Sequence, residues 1–183
     1  MKIENYQYPK SSFLSVNKDL NIIVNKILSN ERLQKLLYYT HSNPLRGEDL
    51  TEDQKLSLMG RNIKITPKIM IDTEAINYII ITFDRFRPNK TNPEFRDNTI
   101  IFTIICPLDQ WELGDFDLRP YRIAAELDSM LNDKRLTGIG LLEFAGGEQV
   151  MTSDGLHGGI AVAYTTIHGE EDKKGMLNPI AEQ

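Results

Sequence analysis

The sequence is poorest in the residues that do chemistry. Its 183 residues include one cysteine, Cys106, one tryptophan and three histidines. A lone cysteine makes no intramolecular disulfide, so the fold does not rest on oxidation, and it cannot supply the thiolate pairs of the common zinc sites. Cys106 sits in a run of β-branched residues and reads as a small buried hydrophobe. No two of His41, His157 and His168 have the spacing of a helical zinc motif. No stretch approaches the ~20 apolar residues of a membrane span. Residues 1–5 lack the apolar centre of a secretory signal, which sets an expectation of synthesis in the cytoplasm with no membrane partner. Glycines gather at Gly138, Gly140, Gly146, Gly147, Gly155, Gly158 and Gly159, but in neither of the phosphate-cradling patterns that open a helix. Gly158 and Gly159 lead into an apolar run and read as turn residues. Ser153, Asp154 and His157 share one short stretch, where neighbours in sequence do not form the orientation chain of a catalytic triad, and there is no nucleophile elbow. Positive charge is also in deficit: 21 lysines and arginines stand against 26 acidic residues, a net charge of −5. That balance argues against a dedicated duplex-DNA binder. The expectation is a protein with no catalytic residue, no cofactor and no metal.

What is present is a good core. Hydrophobic residues make up 40% and charged residues 26%, which suits one domain. The chain is organised around residues 98–131. Residues 99–106 are nearly all apolar and β-branched, the pattern of a strand in the middle of a sheet. Pro107 has no N–H to donate and ends the strand. After the polar linker 108–116, Asp117 reads as an N-cap and Pro120 as a first-turn proline. Ile123, Ala124, Leu127, Met130 and Leu131 then form one stripe at helical period, so this helix lies on the sheet.

Around this unit, residues 1–15 read as an N-terminal arm. Leu20, Ile23, Val24, Ile27 and Leu28 form a helical stripe, continued by Leu33, Leu36 and Leu37 either in the same helix or after a bend. Residues 51–54 open a short helix with Leu56, Leu58 and Met59 on its apolar side, and the whole of 45–75 reads as an insertion or arm. Ile63, Ile65, Ile69 and Ile71 alternate around Pro67, as an extended arm or edge strand does. Residues 76–83 are a strand, 84–97 a long protruding loop, 138–144 a third strand and 158–167 a fourth, expected to be central. The last carries no charge and would need cover if it lay on an edge. Residues 169–183 are a charged tail. The expected fold is α+β: a mainly antiparallel four-stranded sheet with N-terminal and central helices packed on it, plus extended arms.

Two surface features stand out. Arg85, Arg87, Lys90 and Arg96, interleaved with Phe86 and Phe95, make a basic, aromatic cluster expected to grip a partner protein, or alternatively nucleic acid. Asp109, Glu112, Asp115 and Asp117 crowd the linker before the central helix. They read as a solvated negative surface rather than a cation site.

The element order, and above all 99–106 with Pro107, Leu108, Asp109 and Gln110, the polar linker, the helix over 121–131 and the strands after it, resembles the tail terminator and neck ring proteins of tailed bacteriophages. The resemblance covers residues 19–167. It implies a structural virion subunit, assembled in the host cytoplasm, that forms a homo-oligomeric ring, commonly a hexamer. Such a ring joins the tail tube to the capsid connector or head-completion proteins and lets DNA pass without specific binding. It implies no catalysis. An acidic lumen would repel phosphates, which makes Asp109, Glu112, Asp115 and Asp117 its expected lining. The alternatives are a cytoplasmic α+β module binding a ligand or nucleic acid, and an enzyme whose site is assembled from scattered residues.

Overall fold

A computed structural model describes residues 13–66, 74–91, 96–136 and 139–168. The expectations placed on 1–12, 67–73 and 169–183, and on Phe95, lie outside the described residues. The element order is α1 (Phe13–Leu28), α2 (Glu31–Tyr38), α3 (Glu52–Ser57), β1 (Ile63–Lys64), β2 (Tyr78–Pro88), β3 (Arg96–Pro107), α4 (Arg119–Leu131), β4 (Lys134–Leu136), β5 (Gly140–Met151) and β6 (His157–His168). The fold is α+β, and its sheet has six strands in the order β1-β2-β3-β6-β5-β4, not the four expected. Of the two extra strands, β1 stands at the edge of the sheet in the segment read as an extended arm or edge strand, and β4, three residues long, is too short to show a period-two pattern. Every pairing is antiparallel except that of β1 with β2, which is parallel.

The two helices at the start are separate. Asn30 breaks the run with an extended backbone and caps α2, its Oδ1 accepting from Leu33 N at 3.0 Å. At α3 a capping box forms between Thr51 and Gln54. Beyond it Leu58 is fully buried, while Leu56 is exposed. Leu50, Leu58 and Ile63 sit in the core, so residues 45–66 are woven into the domain.

Helices and sheet meet through one face of β3. Ile100, Phe102, Ile104 and Cys106 alternate inward, fully buried, and share a core with Ile123, Leu127, Met130 and Leu131 of α4 and with Ile23, Ile27, Leu33, Leu36 and Leu37 of α1 and α2. The opposite face carries a second, smaller cluster of Ile76, Tyr78, Ile80 and Ile105. The central strand is therefore apolar on both faces, as its unbroken run predicts.

Strand β6 lies between β3 and β5, in the interior of the sheet. Gly158 and Gly159 belong to it rather than to a turn. A Cβ on Gly159 would lie 1.7 Å from the Ile104 carbonyl oxygen, so only glycine lets the strands approach here. Strand β5 likewise runs past its expected end, through Gly146 and Gly147, with a bulge between Phe144 and Gly146.

Helix α4 starts differently from the sequence reading. Its N-cap is Leu118, without a side-chain hydrogen bond, and Asp117 instead lies 3.6 Å from the Arg122 guanidinium. The first helical residue, Arg119, is completely buried. Its Nε donates to the Gln110 carbonyl at 2.8 Å, Nη1 to Leu36 and Tyr39 at 2.9 and 2.7 Å, and Nη2 to Thr40 and His41 at 3.2 and 2.6 Å. The carbonyls at the end of α2 have no intrahelical partners, and a cation there also meets the negative end of the helix dipole. A chain of buried amides continues the clamp: Asn62 Nδ2 donates to Leu37 and Asn77 carbonyls, Asn77 Nδ2 to Gln110 Oε1, and Gln110 Nε2 to the Ala75 carbonyl. Together they fix residues 108–118 against α2 and β1.

Candidate interaction surfaces

The predicted surface residues fall into two groups at opposite ends of β3. That strand spans 12 residues, about 36 Å at the usual rise.

At its start lies the basic group. Half of the expected protruding loop is strand: β2 continues to Pro88 and β3 begins at Arg96. The misreading has a physical cause. Residues 84–88 are exposed apart from the half-buried Phe86, so they show no alternation. A register shift between Asp84 and Arg87 places Arg85 at φ 56°, in the left-handed region, with its Nε 3.7 Å from Asp84 Oδ2. Arg87 and Lys90 are exposed. Phe86 meets Phe13 of α1 edge-on with ring centroids 5.1 Å apart, and the Arg96 guanidinium lies 4.7 Å from the Phe13 ring centre. Phe13, which the sequence reading left in an arm, is thus the platform of the group. Asn89 Nδ2 donates to Asp97 at 2.6 Å and ties the end of β2 to the start of β3.

At the other end lies the acidic group. Asp109, Glu112 and Asp117 are exposed, whereas the side chain of Asp115 lies outside the described residues. The linker is held tightly. Glu112 and Leu118 form an isolated antiparallel bridge, Leu113 N donates to the Asp117 carbonyl at 2.9 Å, and Gly114 N to the Ser42 carbonyl at 2.8 Å. This geometry pushes Phe116 out. Its φ is 63°, and the residue has 103% relative exposure. Leu108, Leu118, Tyr121 and Leu156 are also exposed large apolar residues of this end. Leu108, Asp109, Trp111, Glu112 and Leu118 line a depression of about 400 Å³ beside it. Composition marks the linker as acidic, but only the folded backbone shows that its one phenylalanine is the outermost group.

The Asp154–His157 stretch forms a stapled turn. Asp154 accepts from Thr152 Oγ1 and from Leu156 N, and its Oδ2 lies 3.2 Å from His157 Nδ1. These bonds, that from Thr152 foremost, hold the Asp154 carboxyl down at about 2. His41 accepts from Asn43 N within its own loop. Among the described residues, no group of three or more His, Cys, Asp or Glu side chains stands close enough to hold a metal ion. No helix among them is long and apolar enough to cross a membrane.

Comparison with curated proteins finds no match. A family model described as YomW matches residues 30–166, well over half of the chain, from the start of α2 almost to the end of β6. The chain therefore belongs to the YomW family, which is phage-derived.

Proposed function

We propose that the protein is a structural subunit of a phage neck or tail. It assembles into a homo-oligomeric ring, hexameric by resemblance, that joins the tail tube to the capsid connector and lets DNA through. The phage-derived family and the element order support the setting. The observation that carries the reading is Phe116. An aromatic held outward at positive φ is unfavourable twice over: left-handed backbone costs ~1–3 kcal/mol, and burial of the ring, worth ~1.5–3 kcal/mol, is forgone. Both terms are offset when a neighbouring protein receives the ring. The exposed leucines around it and the acidic rim fit the same role: an apolar centre with a charged border is the usual anatomy of an interface.

Phe116→Asn separates interface from fold. Asparagine tolerates the left-handed region, so the isolated subunit stays at least as stable. Loss of attachment between the ring and the next neck or tail component in assembled particles, with an unchanged or higher melting temperature of the subunit, is the expected outcome. Joined particles in normal yield would refute the interface. The basic end admits a second reading, because exposed Arg85, Arg87 and Lys90 beside aromatic rings also suit a phosphate backbone. Joint replacement of Arg85 and Arg87 by alanine decides it. A protein contact predicts lost assembly; a DNA contact predicts weaker DNA binding with a flatter salt dependence.

A further inference from the structure

The sheet is closed at neither side. Strand β4 covers β5 only at residues 140–142, through Lys134↔Leu142, Arg135↔Leu141 and Leu136↔Gly140. From residue 143 to 151 the outer edge of β5 has no strand partner among the described residues; Asn132 Oδ1 accepts one N–H, that of Phe144. On the opposite side β1 pairs only with Ile79 and Ile80, so among the described residues the outer edge of β2 has no strand partner over 81–88, a stretch that carries a register shift between Asp84 and Arg87 and ends on Pro88. An open edge is a row of unpaired N–H and C=O groups, and proteins usually blunt it with lysine or proline. Residues 143–151 contain neither, and Phe144 and Met151 are more than half exposed.

The two edges are complementary. They match in length, with eight residues on β2 and nine on β5. They differ in charge: Glu143 and Glu148 stand on β5 with no basic residue along the strand, and Arg85 and Arg87 stand on β2 with Lys90 and Arg96 close by. Three successive antiparallel pairings separate them, so β2 and β5 run in opposite directions. Copies set side by side in the same orientation therefore bring β5 of one to β2 of the next antiparallel.

We propose that β5 of one copy adds along β2 of a second copy, so that the sheet continues from subunit to subunit. The proposal rests on the assembly reading above and names its contact. Because the two edges are different surfaces, the contact is heterologous, the type that builds rings or filaments rather than two-fold dimers. Main-chain bonds supply the attachment, and the opposed glutamates and arginines set its sense.

Cysteine cross-linking tests it in the full chain. Cys106 is buried, and its thiol is pushed up to about 12 by that burial, so it stays silent. A chain carrying Asp84→Cys and Glu148→Cys, both at exposed positions on the sheet face away from the helices, is treated with a short bismaleimide. Within one chain the two positions lie on strands three apart, about 14 Å laterally. They are further offset along the strands, since Asp84 stands level with Thr99, Thr165 and Glu143 across the sheet. The reagent therefore joins neighbours. The expected result is a ladder extending beyond dimers, with cross-linked dimers only from a mixture of the two single variants and none from either single variant alone. Hydrogen exchange at residues 143–151 should also slow about ten-fold or more on assembly, as it does for amides that gain a ladder partner. Assemblies present in light scattering without the 84–148 cross-link would overturn the edge contact and leave the assembly reading standing. Cross-links between like positions would replace the contact with a two-fold one and overturn it. A chain that stays monomeric would overturn both readings.

Discussion

Arg119→Met is the sharpest test of how the acidic end is held. Methionine keeps the apolar length of the side chain and removes every donor, so the carbonyls of Gln110, Leu36, Tyr39, Thr40 and His41 lose their shared partner. The bonds to Gln110 and Leu36 are buried, and those two oxygens have no access to water in the native packing. Leaving each unpaired costs ~1–3 kcal/mol, or ~2–6 kcal/mol for the pair. The other three bonds are partly buried and exchange for water at smaller cost. Against this stands the desolvation of the guanidinium, whose pKa burial has lowered and whose removal returns a few kcal/mol. The expected balance is a loss of about 3 kcal/mol, which for a domain of this size lowers the melting temperature by about 6–12 °C. Arg119→Lys should fall between, since a lysine has three donors and no fork. Calorimetry gives the magnitude. Hydrogen exchange gives the place: loops 39–43 and 108–118 should open together, because Arg119 is the group that ties both. A variant as stable as the parent, or one in which the two loops open independently, would refute the clamp.

Leu127 is fully buried between α4 and the sheet, so Leu127→Ala should cost about 2–5 kcal/mol in chemical denaturation; an unchanged midpoint would contradict the packing. Asp154 is held at about 2 against an ordinary 3.8. A lowered carboxyl adds stability that is fully present above its unfolded value and is lost as pH falls through the folded one. Acid titration followed by near-ultraviolet circular dichroism should show that loss between about pH 4 and pH 2, and Asp154→Asn should flatten it; an identical acid limb in the variant would refute the assignment.

Much of the fold could be read from local pattern. The run 99–106 announced a strand buried on both faces, and the stripe from Ile123 to Leu131 announced the helix that covers it. What escaped reading depends on partners distant in sequence. Lys134–Leu136 is a strand only because Gly140–Leu142 returns beside it. Gly146 and Gly147 looked like a loop and are kept extended by Ala163 and Val162. Arg119 stood in the sequence only as part of a helix-start signal beside an aspartate cap, yet the ends of α2 and of the linker converge on it across some eighty residues of sequence. A charged residue at the head of an amphipathic helix carries no local mark of such burial.

The surfaces were legible as composition but not as geometry, and the geometry changes what the composition implies. Listed along the chain, the basic residues 85–96 and the acidic residues 109–117 are near neighbours. In the fold the whole of β3 lies between them. A ring joined through the edges of β5 and β2 places its strands side by side around the axis, with the two ends of β3 on opposite rims. On that proposal Asp109, Glu112 and Asp117 would stand around one mouth of the channel. Arg85, Arg87, Lys90 and Arg96 surround the other. A negative mouth repels the phosphates of passing DNA, and the positive rim is left to meet an acidic neighbour in the tail or neck. The same polarity opposes stacking two such rings with like ends together, because charges of one sign would face each other across the joint. On that proposal the direction of the β3 strand would be the direction of the assembly, and Phe116, standing out from the acidic end, would enter the next component along that axis.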